Sequence, residues 1–159
     1  MDITKVTGRE FLKKLSSLNA NSVTLPEAKK LLITIRGSTE NRERLVNDML
    51  SIAEEDIKAD SPCSDALHWA VRWCSDLSDE RRRRLLALLD SISEKLMLKD
   101  QLEKEPERLN GLMLDFVIIL SGLKRMDNQL LNSKLQNLRH TASSGNHKYL
   151  LFALAQFKG

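Results

Sequence analysis

The sequence predicts an all-helical chain. Three observations carry that expectation. Aromatic residues make up only 4 % of the 159 residues, with six glycines, three prolines and abundant leucine, a composition that favours helix over strand. Apolar residues recur at intervals of three and four along most of the chain. Helix-start signals stand ahead of nearly every such run.

In chain order, Thr7-Gly8-Arg9-Glu10 has the spacing of a capping box, and Phe11, Leu12, Leu15 and Leu18 follow on one face. Thr24-Leu25-Pro26-Glu27 repeats the device ahead of Ala28, Leu31, Leu32 and Ile35, and Gly37 stops that helix. Ser38 or Thr39 caps the next helix, which runs to about Lys58 with Leu45, Met49, Ile52 and Ile57 inward. Ser61-Pro62 or Ser64-Asp65 opens a helix carrying Leu67, Ala70, Val71 and Cys74. Ser78 opens another, to about Leu98, with Leu85, Leu88, Leu89, Ile92 and Leu96 inward. Glu105-Pro106 begins a helix that is apolar nearly all round at Phe116 to Leu120, so it should be the most buried. Asp127 caps a helix through Leu130, Leu131, Leu135 and Leu138. Thr141 to Asn146 is expected as a polar loop, and a last helix covers about His147 to Phe157.

Displacing the chain by about forty residues lays one helix on another. Arg42, Arg44, Leu45, Ser51, Ile52 and Glu54 fall on Arg82, Arg84, Leu85, Ser91, Ile92 and Glu94. The helices before them also fall in register: Ala28, Leu31, Leu32 and Ile35 fall on Leu67, Ala70, Val71 and Cys74, and these fall in turn on Leu109, Leu112, Met113 and Phe116. A pair of amphipathic helices cannot bury its apolar stripe alone, whereas stacked pairs share one core.

This pattern resembles the HEAT and armadillo class of helical repeats. The resemblance implies a right-handed stack of antiparallel helix pairs, an α–α superhelix. Within a single domain, residues 1–159, the units would be 24–60, 61–104 and 105–144, with 1–23 as an N-terminal capping helix and 145–159 as a final helix. An irregular bundle of about seven or eight helices is the alternative arrangement. The final helix, with Tyr149, Leu150, Leu151, Phe152, Leu154 and Phe157, needs a cover. Its own core, a second copy, or a continuation of the chain past Gly159 would each supply one.

Composition narrows function without naming it. Apolar residues at 42 % and charged residues at 30 % describe an ordinary folded chain. The longest apolar run, Phe116 to Leu120, is far too short to span a membrane, and the N-terminus lacks the apolar core of a signal peptide. Cys63 and Cys74, if on one helix, stand about 16 Å apart, too far for a disulfide, which suits the reducing cytoplasm or nucleus. His68, His140 and His147 form no ligand set, and neither a glycine-rich phosphate loop nor a nucleophile elbow is present. No enzyme, metal or cofactor is expected.

The expected activity is therefore that of a non-enzymatic adaptor or scaffold binding another protein, by way of an acidic or helical segment. Arg42 and Arg44 and their counterparts Arg82 and Arg84 would form a ladder along a groove, with Arg83 beside them. Within the run Arg81 to Arg84, Asp79 and Glu80 would neutralise Arg83 and Arg84 at helical spacing. Trp69 and Trp73, one turn apart, are the candidate aromatic anchors, with Arg72 or Arg125 as cation partners. Self-association through the last helix is a further expectation. The alternative is RNA or DNA binding through the Arg run and the basic C-terminal third: Lys124, Arg125, Lys134, Arg139 and Lys148. Asp115, inside a very apolar helix, should find a helix end or an arginine as its partner.

Overall fold

The computed structural model describes residues 7–19, 33, 37–61, 63–74 and 77–157, with the backbone alone for 14–19. All regular structure in them is helical: α1 (Gly8–Asn19), α2 (Thr39–Lys58), α3 (Ser64–Trp73), α4 (Asp79–Leu96), α5 (Lys99–Glu103), α6 (Pro106–Met126), α7 (Asn128–Ser144) and α8 (Lys148–Gln156). The helix expected over 24–36 lies outside the described residues, except that the Gly37 amide donates to the Ile33 carbonyl, as at a helix end.

The starts follow the capping chemistry. Thr7 Oγ1 accepts from the Glu10 amide, Ser38 Oγ from Asn41, Ser78 Oγ from Arg81 and an Asp127 carboxylate oxygen from Leu130, at 3.1–3.3 Å. Each bond satisfies a donor that the first turn leaves over. Pro106 takes the first position of α6, where its missing N–H costs nothing.

Two boundaries differ from expectation. Thr141 to Ser144 continues α7 as helix, because Ala142 is fully buried and anchors the last turn. The break comes at Gly145-Asn146, where Asn146 takes φ 51° and the His147 amide returns to the Ala142 carbonyl. After α4 the chain makes the separate short helix α5, held by the buried Leu102.

α6 is the central element, packing against α3, α4, α5, α7 and α8. α2 packs on α1, α3 and α4, and α8 on α4, α6 and α7. One continuous core results, running from Phe11 and Leu45 through Leu67, Leu89, Phe116 and Leu120 to Leu150. Gly122 permits the closest approach: a Cβ there would stand 2.5 Å from Val71 Cγ1, so α6 meets α3 nearly backbone to side chain.

Candidate functional site: a charge-rimmed cleft beside helix α6

The arginine run is largely consumed inside the fold. α4 begins beside α2, and Arg81, only 6 % exposed, turns onto it, donating to Glu43 Oε2, to Asn47 Oδ1 at 3.4 Å and to Cys74 Sγ at 3.8 Å. Arg84 clasps Glu54 at 2.6 Å and Ser51 Oγ at 2.9 Å. Arg82 reaches Asp127 at 3.2 Å and Asp79 at 3.7 Å. Arg84 takes Glu54 of α2 in place of the foreseen Glu80, because its long guanidinium arm bridges α2 and α4, and Asp79 stands by Arg82 rather than the foreseen Arg83. Arg83 is exposed and has no ion pair among the described residues. Arg42 and Arg44 are half-buried, Arg44 standing 3.9 Å from Asp48. The Nε atoms of Arg42 and its counterpart Arg82 are both buried without an acceptor.

The tryptophans are also turned inward. Trp73 is 5 % exposed and Trp69 half-buried. Their rings lie 4.8 Å apart, with Phe11 at 5.3 Å from Trp73 and edge-on to Trp69 at 6.2 Å. This three-ring cluster fastens α1 to α3, and each such aromatic pair contributes about 0.5–1.5 kcal/mol beyond its burial. Arg72 stands 5.7 Å over the Trp69 ring, as one of the two foreseen cation partners. The other, Arg125, instead donates to the carbonyls of Val71 and Cys74, closing the C-terminal end of α3. Of the remaining basic residues, Lys134 pairs with Asp90 at 3.4 Å, and Lys148 lies over the Tyr149 ring at 5.3 Å. Lys124 and Arg139 are exposed.

What sequence reasoning missed is a cleft of about 690 Å³ between the end of α2, the end of α4 and the first half of α6. Its volume lies in the range of ligand pockets, about 300–1,000 Å³. Ile57, Gly111 and Leu112 line its apolar wall. A Cβ on Gly111 would meet nothing within 4 Å, so no packing requirement explains a glycine inside this 21-residue helix. Its effect is to leave the wall of the cleft open, at a helix-propensity cost of about 1 kcal/mol.

At the rim, Asp60 holds a left-handed backbone, φ 58°, which a non-glycine residue adopts at some cost. Two cations from different helices grip its carboxylate: Lys95 of α4, and Arg108 of α6 at 2.6 Å. The hydrogen bond from Lys95 holds the Asp60 carboxyl below its ordinary value despite some desolvation. Arg108 also takes Glu105 at 3.0 Å. Lys104 and Glu107 remain at the rim with no ion pair among the described residues.

At the inner end sits Asp115, 1 % exposed. It accepts from Ser64 Oγ and from Cys63 Sγ at 3.2 Å, so a carboxyl of α6 anchors the start of α3, a helix without a side-chain cap of its own. Burial raises its pKa, and the hydrogen bonds from Ser64 and Cys63 offset only part of that. The Cys63 thiol is pushed up strongly by the same burial and by the neighbouring carboxylate, which keeps it protonated and unreactive. The sequence held two signals of this site: an isolated glycine inside a helical pattern and an acid on an apolar helix.

Among the described residues, no group of three His, Cys, Asp or Glu side chains could hold a metal, and no helix is long and apolar enough to cross a membrane. Comparison with known protein families, with curated proteins and with solved structures finds no match for this chain.

Proposed function

We propose that this chain is a non-enzymatic protein-interaction module, a short HEAT-like stack of helix pairs whose docking site is the cleft beside α6. The cleft carries the proposal: an apolar wall kept open by Gly111, under a rim of charges that are mostly matched already. Small apolar pockets with a few fixed polar groups are where bound groups gain most from burial. The repeat reading draws support from the packing between units, while α3 and α4, assigned to one unit, pack little on each other. α2 meets α3, α4 meets α6 and α7 meets α8, each the second helix of one unit on the first of the next. First helices also meet, α3 on α6 and α6 on α8. The engagement of Arg81, Arg82 and Arg84 moves the binding surface away from the arginine ladder. A reducing compartment, cytoplasm or nucleus, suits the two buried cysteines.

The test is affinity capture from lysate with nuclease treatment, at low and high salt, comparing wild type with Gly111→Leu, Gly111→Ala and Arg83→Glu. The expected outcome is a protein partner, whether a further copy of this chain or another protein, kept by Gly111→Ala and Arg83→Glu and lost with Gly111→Leu. A partner lost with Arg83→Glu alone would move the site to α4. Recovery of nucleic acid that falls steeply with salt would replace this reading with the nucleic-acid one, carried by Lys124, Arg139 and Lys148.

A further inference from the structure

We infer that the cleft takes helix α8 of a second copy of this chain, an assignment that rests on the cleft being a docking site. The rim fixes the chemistry of the occupant. Asp60 is matched by Lys95 and Arg108, and Glu105 by Arg108. The remaining Lys104 and Glu107 cancel, so an acidic segment gains no net attraction and meets Glu107 besides. An uncharged apolar group is what the wall of Ile57, Gly111 and Leu112 favours.

The same molecule presents such a group elsewhere. α8 buries Leu150, Ala153 and Leu154 against the core and turns Leu151, 37 % exposed, and Phe152, 51 % exposed, outward with Ala155. These three positions lie on one side of the helix. The helix contains no acid and a single charged residue, Lys148, so it matches a rim whose own charges are balanced. The side chains of Leu151 and Phe152 together occupy about 250 Å³, well within the cleft. The inner face of α8 is already fixed on α6 and α7, so it cannot swing into its own cleft, and the contact must join two copies. The plug of one copy enters the cleft of the next, a heterologous contact with two different halves.

That asymmetry gives the experiment. Sedimentation velocity over rising concentration should show the average mass of the wild-type protein climbing above one chain. Phe152→Glu keeps the cleft and loses the plug; Gly111→Leu keeps the plug and fills the cleft. Both changes point into open space, and circular dichroism verifies that both variants fold. Each alone should stay a single chain at concentrations where the wild type assembles. An equimolar mixture should regain pairing and stop at 1:1, doubling the mass. A wild type that stays a single chain throughout, or a mixture that does not pair, overturns the assignment. So does association that survives either substitution. A foreign protein bound by Phe152→Glu and lost from Gly111→Leu would overturn the second copy as occupant while leaving the cleft as the docking site.

Discussion

Helix α6 carries two interior glycines whose surroundings give opposite expectations for alanine. At Gly111 the added Cβ meets nothing within 4 Å, and no glycine among the described residues has a positive φ. Gly111→Ala should therefore gain the full helix preference, about 1 kcal/mol, much of it by restricting the unfolded chain. At Gly122 the same gain is available, but the Cβ would stand 2.5 Å from Val71 Cγ1. A β-branched side chain on a packed helix cannot swing away cheaply, so overpacking costs about 1–3 kcal/mol. Because the propensity gain is common to both, the difference between the two variants isolates that cost, with Gly111→Ala the more stable by about 1–3 kcal/mol. For a chain of this size each kcal/mol moves the thermal midpoint by about 2–4 °C. Urea unfolding followed by circular dichroism reads the free energies directly. A Gly111→Ala protein less stable than wild type would refute the open space at that position. Equal stabilities of the two variants would refute the tight approach of α6 to α3.

Three further outcomes are expected. Glu43→Ala takes one carboxylate from the guanidinium of Arg81, which is 7 % exposed in its side chain, and should cost about 1.5–3 kcal/mol in urea unfolding; a loss below about 0.5 kcal/mol would mean that the other partners of Arg81 suffice for it. Asp115 binds its proton more tightly folded than unfolded, so wild-type stability contributed by this group falls as pH rises from the ordinary carboxylate value through the raised one. Asp115→Asn removes that slope, so its stability relative to wild type should improve over that window and then level off; a flat difference from acid to neutral pH would contradict the burial cause. Phe11→Ala opens the three-ring cluster, and should cost about 3–5 kcal/mol and move the fluorescence of the two tryptophans to longer wavelength; unchanged emission would show that α1 does not shield them.

Local chemistry was the most legible part of the fold. The starts at Thr7, Ser38, Ser78 and Asp127 follow from side chains that bond the amide three residues on, and the inward positions of α2, α3 and α4 follow from spacing alone. Polarity misled at Thr141 to Ser144, where one buried alanine outweighs three exposed polar neighbours. Partners across the fold were harder to foresee. A long arginine side chain has many carboxylates within reach, and nothing in the order of residues says that Arg84 chooses Glu54 rather than Glu80. The cleft was invisible for a related reason: it is formed by what three separate helices fail to fill. Only Gly111 and Asp115 marked it in advance.

The anchor that Asp115 supplies has a consequence for how the molecule comes apart. The start of α3 is anchored by a residue 51 positions further along the chain than Ser64, so the Ser64 hydroxyl and the Cys63 thiol keep their acceptor only while α6 is in place. Amide hydrogen exchange at the start of α3 should then proceed at the rate at which α6 departs, although α3 itself is only ten residues long. A fragment ending after α5 would retain every residue of α3 and still begin that helix without its anchor. Helices that touch only their neighbours in the chain can unfold on their own account; the Asp115 carboxyl instead ties the start of α3 to α6, so these two helices should come apart together.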